Sequence, residues 1–191
     1  MGDPFRCIGG LTKDGRSVRL MLRDGSNHRS SSSLKIGEWW DIDVTEAAEV
    51  EEPHTEDVLC SKGKRLGVQA NLVEYLKQQK PLHKGSIDDL YEGHLRFTSN
   101  GNGYVSEAHG VPSYSTCFWI PNRKLVRRSD GKHVDYMQPP TRGMKYVGEA
   151  ALLQEIPAGT LVRMSLARWW RPENVTDLEL RCYLQLSCWY D

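Results

Sequence analysis

No charge of either sign predominates in this chain: 25 basic side chains face 25 acidic ones. A protein that coats nucleic acid without selectivity is normally strongly basic, so that class is excluded. No apolar run approaches the roughly 20 residues that cross a bilayer as a helix. The opening residues lack the basic and apolar regions of a secretory signal, and Arg6 stands where a myristoylation signal needs Ser or Thr. The expectation is a cytoplasmic protein with no membrane partner. The five cysteines form no C-x-x-C pair and no zinc spacing, so they read as reduced, small apolar residues. The six histidines show no metal spacing. G-x-S-x-G, the phosphate-cradling G-x-x-x-x-G-K-[ST] and a G-x-G-x-x-G after a strand are all missing. The chain is therefore expected to be no enzyme, with no catalytic residue, metal or cofactor.

The balanced total hides segregation. Residues 1–37 carry 7 basic and 3 acidic side chains, residues 38–57 carry 9 acidic and none basic, and residues 58–128 carry 11 basic and 5 acidic. Such blocks create local fields, although each is equally read as a solvated face.

The apolar pattern is mostly of period two. Leu178, Leu180, Cys182, Leu184, Leu186, Cys188 and Tyr190 alternate with polar or amphipathic residues, which predicts a long half-buried strand. Thr160–Trp170 predicts its antiparallel partner, with Val162, Met164 and Leu166 on one face and Arg163 and Ser165 on the other; Pro172 ends it. Ser17–Arg23 alternates between turn signals, with Val18, Leu20 and Leu22 inward, and Glu38–Val44 alternates again. Gly37-Glu-Trp-Trp-Asp-Ile-Asp-Val matches Gly159-Thr-Leu-Val-Arg-Met-Ser-Leu in type at each apolar position, consistent with a repeated β-unit.

The middle differs. Leu72, Val73 and Leu76 are helically spaced, predicting a helix over 68–79 that Pro81 stops. Ser86 predicts the cap of a second short helix, with Asp88 and Asp89 in its first turn. Residues 99–115 read as a glycine-rich loop. Extended structure follows at Thr116–Ile120, Lys124–Arg128 and Lys132–Met137 before the break at Pro139-Pro140. The expected fold class is mainly β: two OB-like small barrels packed together, with a short helical insertion between them. The corresponding divisions are a first β-unit over 1–66, a helical connector over 67–98 and a second β-unit over 99–191.

Arg6-Cys7-Ile8-Gly9-Gly10, Gly15-Arg16-Ser17-Val18-Arg19, Ile36-Gly37-Glu38-Trp39-Trp40-Asp41-Ile42 and Pro53-His54-Thr55-Glu56-Asp57-Val58 together resemble the dual OB-containing domain family of bacteria. Gly143-Met144-Lys145-Tyr146-Val147, Arg168-Trp169-Trp170-Arg171-Pro172 and Arg181-Cys182-Tyr183-Leu184-Gln185-Leu186 extend the resemblance over nearly the whole chain. It implies two OB-like barrels and a role in nucleic-acid or ligand sensing, often in conflict and antiphage systems. It supplies no catalytic residue, and the step from fold to function is analogy.

OB barrels bind single strands with a positive groove and aromatic platforms for the bases. The residues that could build such a groove are Arg181, Tyr183 and Trp189 on the last strand and Arg163 on its neighbour. Arg168, Trp169, Trp170 and Arg171 end that neighbour, and Arg123, Lys124, Arg127 and Arg128 lie just after Trp119. The alternative for the six tryptophans is core packing, in a chain with only three phenylalanines. His54, Glu56 and Asp57 read either as a polar site or as carboxylates capping backbone amides at the strand starting near Val58. The leading function is a non-enzymatic single-strand binding accessory of a conflict system. Two alternatives stand beside it: a protein-interaction subunit docking through the acidic 38–57 segment, and a small-molecule or nucleotide sensor with a pocket between the halves.

Overall fold

The structure, a computed structural model, describes residues 5–47, 49–79, 82–136, 141–175 and 177–191. Pro81, Met137 and Pro139-Pro140, which carried expected element ends, lie outside the described residues.

The first sheet consists of β1 (Ile8–Leu11), β2 (Ser17–Met21), β3 (Glu38–Glu46) and β4 (Asp57–Val68). Their spatial order is β1-β2-β4-β3, with β2 and β4 parallel and the other pairs antiparallel. Lys13-Asp14-Gly15 makes the β1–β2 turn, with the Gly15 N–H donating to the Thr12 carbonyl at 3.0 Å.

The second sheet contains β5 (Leu82–Gly85), β6 (Arg96–Phe97), β7 (Gly103–Ser106), β8 (Thr116–Pro121), β9 (Leu125–Arg127) and β10 (His133–Tyr136). It continues with β11 (Arg142–Tyr146), β12 (Glu155–Ile156), β13 (Leu161–Leu166) and β14 (Arg181–Tyr190). β8 and β9 follow one another with only residues 122–124 between them. β8 pairs with β13 and β9 with β10, and the path β13-β14-β11-β10 joins them. With the short β8–β9 connection the chain comes back on itself, the barrel-like plan expected of an OB-like unit.

The two units share a plan. The order β1-β2-β4-β3 repeats as β10-β11-β14-β13, each with its parallel pair at the centre. β3 and β13 are thus equivalent, and these are the segments whose sequences match. Gly37 and Gly159 precede them at φ 80° and 83°, a backbone region that side chains with a Cβ rarely adopt. The first sheet has no strand completing its ring among the described residues, so β1 and β3 remain edges.

Three apolar clusters hold the molecule together. The largest fills the second barrel, where Cys182, Leu184 and Leu186 of β14 and Val162, Met164 and Leu166 of β13 are all buried. A smaller one, built on Val18, Leu20, Val58 and Cys60, fills the first unit. The third joins the units: Leu76 of helix α1 (Leu72–Lys77) packs with Phe118 and Leu161, and Leu11 and Tyr190 close around them.

Several expectations are corrected. β14 starts at Arg181, because Leu178 and Leu180 belong to the preceding loop, and Leu180 is exposed. β13 ends at Leu166, well before Trp170. The helix over 68–79 shrinks to six residues, since Gln69 still donates its N–H to the Gly37 carbonyl as an extension of β4. Ser86 does cap a short 3-10 segment (Ile87–Gly93), its hydroxyl accepting the Asp88 N–H. Within the supposed loop 99–115, β7 is buried at all four residues and pairs with β14; covered on both faces, it shows no alternation to read. Arg19, on the polar row of β2, is also buried, because it meets Asp57 of the parallel neighbour β4.

Candidate functional site

The residues expected to form one groove fall into three places. Arg123, Lys124, Arg127 and Arg128 follow β8, and most are engaged. Lys124 pairs with Glu155 at 2.7 Å, and Arg127 donates to the Leu152 carbonyl and to Gln154. Arg128 pairs with Asp135 at 2.6 Å and donates to Asn102. Arg123 is exposed and makes no ion pair among the described residues.

The second place is the start of β14. Tyr183 lies between Trp170 and Tyr104, with ring centroids 6.0 Å and 6.2 Å away. Arg181 sets its guanidinium 4.0 Å from the centre of the Tyr104 ring, a cation–π contact, and is held there by Glu179 at 3.1 Å. Reciprocal 3.0 Å backbone hydrogen bonds between Trp170 and Arg181 fix the strip. Trp170 is 53% exposed, in the loop joining β13 to β14, and Arg171 beside it is exposed and unpaired among the described residues. The β13–β14 loop is one of the two loops with which OB barrels hold oligonucleotides. Tyr104 itself is buried behind these groups, and burial raises its phenol above its ordinary pKa. Two expected platforms are absent from the strip. Trp169 packs on the barrel core with its indole N–H on the Glu52 carbonyl at 2.7 Å, and Trp189 packs against Tyr146. Of the adjacent pair Trp169 and Trp170, only the second is exposed, and no pattern in the sequence says which faces out; Tyr104, which backs the strip, lies in the segment read as a loop.

The third place is the face between the units, where Arg163 and Arg168 project. Asp57 joins Arg19 and Arg168 in one network. Burial alone would raise the Asp57 carboxyl, but the two guanidiniums outweigh it and hold it below its ordinary value. His54 is fully buried beside this network, with Nε2 3.7 Å from the Cys182 sulfur and Nδ1 without a partner. Burial, then Arg19 and Arg168, push it down to about 3, so it is neutral. Glu56 does cap amides, as one reading of this segment expected, but those of Ser115 and Thr116 in the second unit rather than those near Val58. The acidic segment is correspondingly divided: Glu38, Glu46, Glu56 and Asp57 are engaged within the molecule, whereas Asp41, Asp43, Glu49, Glu51 and Glu52 are exposed.

Among the described residues there is no group of three or more His, Cys, Asp or Glu that could hold a metal ion, and no helix long and apolar enough to cross a membrane. A family model described as dual OB-containing domain matches residues 3–189. No curated protein and no solved structure matches the chain.

Proposed function

Since the chain belongs to the dual OB-containing domain family, we propose that it is a non-catalytic binding module whose second barrel takes single-stranded nucleic acid across Trp170, Tyr183 and Arg181. The observation that carries this reading is the exposed Trp170 indole leading onto Tyr183, with the buried Tyr104 ring backing both Tyr183 and the Arg181 guanidinium. Bases stack on such platforms whatever their identity, and Arg171, Arg181 and Arg96 (opposite Tyr104 on β6) supply positive charge for the backbone. The setting in a bacterial conflict system rests on the family resemblance alone.

The test is fluorescence anisotropy of a labelled single-stranded oligonucleotide at low salt. Trp170→Ala should weaken binding about tenfold, the scale of one lost stacking contact, without changing stability. With three cations in play, the logarithm of affinity should fall against the logarithm of salt with a slope of about −2. No binding at low salt, or full affinity in Trp170→Ala, overturns the reading.

A protein partner is a second reading, favoured by the position of β3. It is an edge strand, and its Asp41 and Asp43 are exposed. Reversing both charges to lysine should abolish capture of a basic partner while leaving oligonucleotide affinity intact.

A further inference from the structure

A cleft of about 750 Å³ lies between the two units. One wall is the unclosed side of the first sheet, with β1 and the start of β3. The other is the outward row of the second barrel: Arg163 and Ser165 on β13, Gln185 and Ser187 on β14. The size is that of sites holding organic ligands and is far larger than a simple anion needs.

Its charges do not cancel. Arg19 and Arg168 share the single carboxylate of Asp57. Arg6 pairs with Glu149, and Glu38 is taken by Arg65. Arg163 and Lys35 line the same cleft with no ion pair among the described residues. The lining therefore carries an excess of positive charge in a chain whose net charge is zero. A concave wall of low polarizability focuses such a field on an anion.

The hydrogen-bond inventory agrees. Arg19 is more than nine-tenths buried, and its Nη2 has no acceptor among the described residues. Unpaired buried donors are rare, and one in the wall of a cationic cleft marks a shortage of acceptors there. The hydroxyls of Ser165 and Ser187 lie 2.6 Å apart beside Gln185, so neutral donors accompany the guanidiniums. Arg163 is seated with care: its guanidinium rests on the bare backbone of Gly9, where a Cβ would come within 2.0–2.3 Å of it. The lining beside Arg163 is different in kind. Leu72, Leu76, Phe118 and Tyr190 contribute to it, next to Tyr75 and Trp39 in edge-to-face contact at 5.4 Å, and Phe118 is the cross-strand partner of Arg163. The cleft thus offers an anionic head a guanidinium and a flat apolar body an adjoining apolar surface.

We propose that this cleft is a binding site for a phosphorylated ring compound of nucleotide size, with the phosphate on Arg163 and the ring against the apolar wall. The site is separate from the aromatic strip, and a strand laid on the barrel does not need it.

The test is titration calorimetry and thermal shift with purine nucleoside mono- and triphosphates, the parent nucleosides, and inorganic phosphate, each on the full chain. A nucleotide should raise Tm, with the nucleoside and the phosphate each binding at least about tenfold more weakly. Arg163→Gln should weaken the nucleotide about tenfold or more, the scale of a lost charge-assisted hydrogen bond. Gly9→Ala, which keeps Arg163 but dislodges its guanidinium, should act in the same direction. A single-stranded oligonucleotide without a terminal phosphate should fail to displace the nucleotide, which separates this site from the strip. The proposal is overturned if no nucleotide shifts Tm, if inorganic phosphate binds as tightly as the nucleotide, or if folded Arg163→Gln keeps full affinity. Should Arg163→Gln fail to fold, undiminished affinity in Gly9→Ala overturns it instead.

Discussion

Ser115 holds both carboxylate oxygens of Glu56: its backbone N–H reaches Oε1 at 2.8 Å and its hydroxyl reaches Oε2 at 2.8 Å. Thr116 adds its own N–H at 2.8 Å and its hydroxyl at 3.2 Å. Glu56 stands at the entry to β4 and Ser115 at the entry to β8, so this buried clamp fastens one unit to the other. Four donors compensate the desolvated charge.

Glu56→Ala leaves two buried N–H groups unpaired and removes the link between the units. Stability should fall by about 3 kcal/mol, the cost of orphaning buried partners of a charge. Urea unfolding measures it, and a loss below about 1 kcal/mol would contradict the clamp.

How much of this was legible in the sequence depended on where each partner lies. β14 was legible because one row faces a core and the other does not, so Cys182, Leu184 and Leu186 stand out. The kinship of β3 and β13 was legible because each needs a glycine at positive φ before it. β7 was not, since a strand covered on both faces loses its period. Burial of Arg19 was hidden because Asp57 is 38 residues away. The basic run after Trp119 looked like a groove because Glu155 and Gln154, which engage it, lie about 30 residues on.

Acid should destabilise the protein through His54. Its folded value is about 3 against an ordinary 6.5, so below pH 6.5 the unfolded chain takes up a proton that the folded one refuses. The stability is fully present above 6.5 and is lost as pH falls toward 3, at up to about 1.4 kcal/mol per pH unit. His28 and His83, both lowered by burial, act in the same direction. Denaturant melts from pH 7 to 5 should show a loss of about 2 kcal/mol from His54 alone. His54→Gln should flatten that slope; an identical slope in wild type and variant would refute it.

Gly101 has φ 77°, and a Cβ there would sit 2.5 Å from the Thr141 carbonyl oxygen. Both the conformation and the space exclude a side chain, and the obstacle is backbone, which cannot swing aside. The Gly143 N–H also donates to the Gly101 carbonyl at 2.7 Å, tying this turn to β11. Gly101→Ala should cost about 2 kcal/mol or more in thermal or urea unfolding. A neutral substitution would show that the turn before β7 relaxes freely.

The five thiols should divide sharply by reactivity. Thiolate is the nucleophile, so both burial and a raised pKa protect a cysteine. Burial pushes the Cys117 and Cys182 thiols up to about 12, and it raises those of Cys60 and Cys188 as well. Cys7 is exposed, held only by a 3.5 Å contact to the Asn27 side chain. At pH 8 a thiol at 12 is about one part in ten thousand ionised, and solvent does not reach it in any case. A disulfide reagent should therefore titrate Cys7 rapidly in the native protein, the half-buried Cys188 more slowly, and Cys60, Cys117 and Cys182 only on unfolding. Cys7→Ser should abolish the fast phase; a native-state reaction of Cys60, Cys117 or Cys182 would mean that a buried cysteine is open to solvent.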